Sequence, residues 1–177
     1  MFRKLASLLF VAAFAALLGS TPNALAQEPD YLPQTATLVA RRIVDDNDNY
    51  NLAAFSFKYG GNGPLTQRRN RNNWDLLFGN APDRDTFDVT MVGDDCSRIK
   101  DLGELTWSDA LMIGPLEAYD KPTRELSVSA VTGHMYLVHS KDRDIDLYAL
   151  FRVEALQPLE SVTISWKVIP APTATSN

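Results

Sequence analysis

Apolar and polar residues alternate most regularly near the C-terminus. In residues 145–154, Ile145, Leu147, Ala149, Phe151 and Val153 share one parity, and Asp146, Tyr148, Leu150, Arg152 and Glu154 the other. Strand side chains alternate faces with a period of two, so the odd positions make one apolar face. A helix would spread the same residues around its circumference, so the pattern predicts a strand. Residues 162–169 repeat it, with Val162, Ile164, Trp166 and Val168 on one face. Residues 135–139 are more uniformly apolar, which predicts a strand covered on both faces. The polar connectors Lys141-Asp142-Arg143-Asp144 and Gln157-Pro158-Leu159-Glu160 join the three into an antiparallel meander over residues 133–168. Burying each large side chain of the inward rows is worth roughly 1.5–3 kcal/mol. A three-stranded ribbon still needs a cover for its apolar face, which the upstream chain must supply.

Residues 35–44, rich in Thr, Val and Ile, predict the first strand. Residues 51–59 alternate with Ala53, Phe55, Phe57 and Tyr59 on one side, and Gly60-Gly61-Asn62-Gly63-Pro64 ends that pattern. Residues 74–78, 86–92 and 126–131 predict further strands, with weaker ones at 96–100 and 104–107. Residues 108–119 open like a helix capped by Ser108, which Gly114-Pro115 should end early. The sum is an all-β chain: an antiparallel β-sandwich or barrel-like fold of about eight or nine short strands, with at most one short helix.

Composition adds a destination. Arg3 and Lys4, the apolar run from Leu5 to Leu18 and the small residues of Ala24-Leu25-Ala26 have the form of a secretory signal peptide over residues 1–26. Cleavage near Ala26–Gln27 predicts a secreted or periplasmic protein. The apolar run falls short of the roughly 20 residues that span a bilayer, so no stable membrane insertion is expected. The rest divides into an irregular lead-in (27–34), a single antiparallel domain (35–169) and a Pro/Ala/Thr/Ser tail (170–177) that reads as disordered. Losing Arg3 and Lys4 takes the net charge from −5 to −7, which disfavours nucleic acid as a partner. Cys96 is the only cysteine, so it has no intramolecular disulfide partner and reads as a buried thiol.

Several segments, in order, carry a family resemblance: Phe55-Ser56-Phe57, a glycine-rich turn, then Asn73-Trp74-Asp75-Leu76-Leu77-Phe78, and later Gly133-His134-Met135-Tyr136-Leu137-Val138 and Tyr148-Ala149-Leu150-Phe151-Arg152-Val153. This order resembles the HmuY-like secreted or surface β-proteins over roughly residues 53–169. The resemblance implies an all-β fold and, in some members, haem capture through two histidines.

The candidate chemistry is sparse. His134 and His139 are the only histidines. Five residues apart, they point to opposite faces of one strand, so a shared haem or metal site needs a bulge or a His134 outside the strand. Met135 is a core residue on this reading, with axial haem ligation as the alternative. Asp142, Asp144 and Asp146 would share one face if extended and offer oxygen ligands to a cation. Asp45, Asn47 and Asn49 imitate the start of a calcium loop, but Tyr50 and Ser56 stand where glycine and glutamate are required. Arg68, Arg69, Arg71 and Trp74 form a basic loop suited to a phosphate, a sulfated glycan or a carboxylate. No Ser–His–Asp set can be picked out. The sequence therefore points to an exported, non-catalytic domain that binds a protein, glycan or small molecule, or serves a structural role, at the cell envelope or outside the cell. No cofactor is required by this reading. A haem or small-ligand carrier is the alternative, and a carboxylate-dependent glycan hydrolase the third.

Overall fold

The computed structural model describes residues 32–44, 50–61, 74–89, 91–92, 95–120, 125–141 and 145–171. The expected signal peptide and most of the lead-in lie outside them, as do residues 172–177. In chain order the elements are β1 (Gln34–Val39), α1 (Tyr50–Ala53), β2 (Ala54–Phe55), β3 (Leu76–Phe78), β4 (Thr86–Asp88), β5 (Met91–Val92), β6 (Asp95–Cys96) and β7 (Arg98–Glu104). They continue with α2 (Trp107–Asp120), β8 (Ser127–Ser129), β9 (His134–Lys141), β10 (Asp146–Gln157) and β11 (Ser161–Ile169). Nine strands form two antiparallel sheets: five in the order β1-β11-β10-β9-β7, and four in the order β2-β3-β4-β8. A two-residue hairpin, β5-β6, stands beside them. The fold is all-β and sandwich-like.

The meander β9-β10-β11 is the centre of the larger sheet, as the alternation predicts. Ala149, Phe151 and Val153 are fully buried and Ile145 nearly so. Ala149, Phe151 and Val153 face the smaller sheet across an aromatic seam. Phe151 stacks on Tyr136 at 4.8 Å between centroids and meets Phe87 edge-on at 4.9 Å. Trp166 meets Phe55 at 5.3 Å and Phe57 at 5.8 Å. These edge-to-face and offset geometries suit the ring quadrupole, adding to the area buried. The uniformly apolar β9 is covered on both faces: Tyr136 and Val138 join the inter-sheet core, while Met135 and Leu137 join Ala110, Leu150 and Ile169 beneath α2. On one flank the sheets approach each other, where the Ile99 N–H donates to the Glu125 carbonyl at 3.2 Å.

Several local expectations are corrected. The first strand stops at Val39, and residues 41–43 form a 3-10 turn whose Arg42 N–H donates to the Gly79 carbonyl at 3.1 Å. Residues 51–59 are not one strand: α1 ends at Ala53 and the strand is two residues long. Ala53, Ala54, Phe55, Ser56 and Phe57 are all buried, so the apparent alternation does not separate a wet face from a dry one. The two weak strands at 96–100 and 104–107 are replaced by the single seven-residue β7. The longer helix runs 14 residues, through Gly114-Pro115. Its cap is Thr106, not Ser108: the Asp109 N–H donates to Thr106 Oγ1 at 3.1 Å, and that hydroxyl donates to Asp109 Oδ2 at 2.7 Å. Pro115 removes one backbone hydrogen bond, to the carbonyl of the exposed Leu111, where water can replace it. Val168 is 44% exposed because the smaller sheet does not cover the end of β11; the buried residue there is Ile169, on the opposite face.

Candidate functional site

The two histidines sit at either end of one strand. His134 opens β9 and His139 lies near its close. The only irregularity at that border is in β7, between Asp101 and Gly103, so β9 alternates without a bulge. His134 lies on the Tyr136 face and His139 on the Met135 face. Five residues at about 3.3 Å each separate them by roughly 17 Å along the strand. The fold does not bring them together.

Each histidine is instead tied to a carboxylate. Nδ1 of His134 lies 3.0 Å from both Asp101 oxygens, and since a carboxylate only accepts, Nδ1 is placed as the donor. Asp101 is placed by its own neighbourhood, accepting the Gly103 N–H at 2.8 Å. Nε2 of His139 lies 2.8 Å from Asp146 Oδ1, and its ring stacks on Tyr148 at 4.1 Å. Asp146 thus serves His139, with Lys141 Nζ at 3.9 Å from its other oxygen. Asp142 and Asp144 lie outside the described residues, as do Arg68, Arg69, Arg71, Asp45, Asn47 and Asn49. Trp74 is half-buried against Ala53, Ala54, Leu77 and Val44. Met135 is fully buried under α2, the place of a core methionine. Cys96 pairs with Met91 through the backbone.

The most unusual group is one the alternation conceals. Asp75, at the entry to β3, is 1% exposed. Its Oδ2 accepts the Phe57 N–H at 2.6 Å and the Ser56 hydroxyl at 3.0 Å. Its Oδ1 accepts the Ser140 hydroxyl of β9. Its own N–H donates to the Phe55 carbonyl at 2.8 Å. One side chain therefore fastens the end of β2 and the start of β3 to the opposite sheet. Burial raises its pKa above the ordinary aspartate range, and the hydrogen bonds from Ser140, Phe57, Ser56 and Lys58 only partly oppose this. A carboxylate inside an apolar strand is the signal that marks Asp75 in the sequence.

Two other braces complete the frame. The Tyr136 hydroxyl donates to the Ser129 carbonyl and accepts the Val131 N–H, both at 2.9 Å, so β9 holds the end of β8. Arg42 Nη2 donates to Asp85 Oδ1 at 2.6 Å, with both side chains close to nine-tenths buried. Asp85 also accepts the N–H of Leu159 at 3.0 Å, a residue held at a φ of 66° in the β10–β11 turn. Comparison with family models, with curated proteins and with solved structures finds no match to this chain.

Proposed function

We propose that this chain is an exported, non-catalytic β-domain with a binding or structural role at the cell envelope or outside the cell. The observation that carries the reading is the use of its inward polar groups. Asp75, Tyr136 and the Arg42–Asp85 pair each join separate segments, which makes the sandwich a stiff platform for its connections. Recognition on such scaffolds is usually the work of loops. The basic connection between Gly61 and Trp74, with Arg68, Arg69 and Arg71, is the candidate contact for an acidic glycan, protein or small molecule at the envelope. In the haem-carrier alternative each histidine would have to ligate alone, since the two face apart.

Two measurements test this. A C-terminally tagged full chain, expressed in a secreting host, should yield a mature product beginning at Gln27; a product retaining Met1 and held in the cytoplasm overturns the export reading. The mature chain should then co-sediment with isolated envelope material, and less so when Arg68, Arg69 and Arg71 are all alanine. Sedimentation no greater than that of an unrelated acidic control overturns the binding role. A stoichiometric Soret shift on haemin titration would replace it with the carrier reading.

A further inference from the structure

Asp75 does more than fill a hydrogen-bonding vacancy. It stands where a turn from one sheet meets a strand of the other. On the turn side, Ser56 and Gly61 form an isolated bridge, and the Gly60 and Gly61 N–H groups donate to the Ser56 carbonyl at 3.0 and 3.3 Å. On the strand side the contact is the Ser140 hydroxyl, on a residue itself 1% exposed. Every partner of the carboxylate is a neutral hydroxyl or backbone amide. On the Ser140 face of β9 the nearest charged groups, His134 and Asp101, lie at the far end of the strand and are paired with each other at 3.0 Å, and the other charged groups of the neighbouring elements point elsewhere. Lys58, on the turn, has its Nζ over the Tyr59 ring at 5.5 Å. His139 and Lys141 flank Ser140 and so leave β9 on the opposite face, both toward Asp146 of β10. Arg98 of β7 is paired in register with His139 and shares that far face.

We propose that Asp75 is a proton-operated latch, which fastens the 56–61 turn to β9 while neutral and releases that turn when it ionises. A neutral acid can satisfy both sides of the seam, with Oδ2 accepting from Phe57 and Ser56 and a protonated Oδ1 donating to the Ser140 oxygen. An anion in the same seam is cut off from water and has only neutral partners, whereas opening the turn hydrates it. The closed state therefore binds the proton more tightly than the open one. Raising the pH through the closed-state titration must favour opening.

The test is native-state hydrogen exchange from pH 5 to 8, reported as protection factors so that intrinsic rates cancel. The Phe57, Gly60 and Gly61 amides should lose protection as the pH rises across that range, with a slope of at most about tenfold per pH unit, the limit of single-proton linkage. Amides of β10 and β11 should not follow. In Asp75→Asn, whose amide can donate to Ser140 and accept from Phe57, the turn should stay protected at every pH. A turn whose protection does not change with pH in the wild type, or falls equally in Asp75→Asn, overturns the latch. Should Asp75→Asn fail to fold, Ser140→Ala removes the β9 side alone. It should lower protection of the turn already at pH 5, and a turn as protected as wild type there overturns the proposal.

Discussion

Replacing Tyr136 by Phe isolates one hydroxyl. The ring stays stacked on Phe151, so the apolar seam is kept. Lost are a hydrogen bond to the Ser129 carbonyl and one from the Val131 N–H. A typical intramolecular hydrogen bond contributes a net 0.5–1.5 kcal/mol, which gives about 1–3 kcal/mol for the pair. Val131 is 37% exposed, so water can reach the broken end, and the expected loss lies in the lower half, about 1–2 kcal/mol. For a domain of this length that corresponds to a fall in Tm of about 2–8 °C. Alkali supplies an independent check. Burial raises the phenol's pKa well above the ordinary tyrosine range, with Asp101 adding to the effect. The native state thus keeps its proton where the unfolded chain has lost it, and stability must fall as pH rises above the unfolded value of about 10. The slope is at most about 1.4 kcal/mol per pH unit, and Tyr136→Phe lacks it. Urea titrations followed by tryptophan fluorescence should show wild type ahead by about 1–2 kcal/mol at pH 7, with the two proteins converging between about pH 10.5 and 11.5. A gap below about 0.5 kcal/mol at neutral pH, or one that stays constant into alkali, refutes the assigned hydrogen bonds.

Asp85→Ala strips Arg42 of its ion pair and leaves the Leu159 N–H unmet, and should cost about 3 kcal/mol or more by urea unfolding. The double variant Arg42→Met/Asp85→Leu should recover part of that loss, and failure to recover any would mean the buried charge is not the cause. Gly79 has a φ of 67°, and an added Cβ would lie 2.6 Å from that of Ala40, so Gly79→Ala should destabilise by more than the roughly 1–2 kcal/mol of the backbone conformation alone. Adding Ala40→Gly removes the contact with that Cβ but leaves the Cα of residue 40 at 2.9 Å, so it should recover only part of the steric loss, and a Gly79→Ala protein as stable as wild type would show that the 41–43 turn does not pack against the β3–β4 connection as described. Thr106→Ala should weaken the longer helix by about 1 kcal/mol while Thr106→Ser keeps most of the cap, read by thermal unfolding at 222 nm.

The parts of the fold that could be read from residues alone are those in which one physical effect dominates. Ile145, Ala149, Phe151 and Val153 share a parity that the structure buries, with Leu147 partly so, while Leu150 on the other parity is buried beneath α2. Met135 to Val138 are apolar without a break because both faces are covered. Elsewhere two effects compete. Ala53 to Phe57 mix small, aromatic and hydroxyl residues that are all buried, so periodicity carries no information about which are strand. Gly114-Pro115 opposes a helix locally, but the Thr106–Asp109 cap and the docking of Ala110 on the sheet favour one. Whether Val168 is covered depends on how far the second sheet reaches, a property of other segments. The opposed faces of His134 and His139 follow from their odd spacing. Their carboxylate partners do not, because Asp101 comes from β7, 33 residues away. The carboxylate of Asp75 stands out among apolar neighbours, but its role was hidden for the same reason: Ser140, its partner across the seam, is 65 residues downstream.

The outer strand of the larger sheet has a consequence for biogenesis. β1 is hydrogen-bonded to β11, and the facing pair Thr37 and Thr163 are 126 residues apart. A ribosome delivers the N-terminal side first, so β1 must wait, unpaired and rich in strand-forming residues, until Thr163, 126 residues further on, has been made. Such distant closure is slow, and the waiting edge is open to pairing with other molecules. A chaperone that shields the stretch around Gln34–Val39 during that interval would protect yield without touching the finished protein, and cutting the gene before Ser161 would leave that edge open for good.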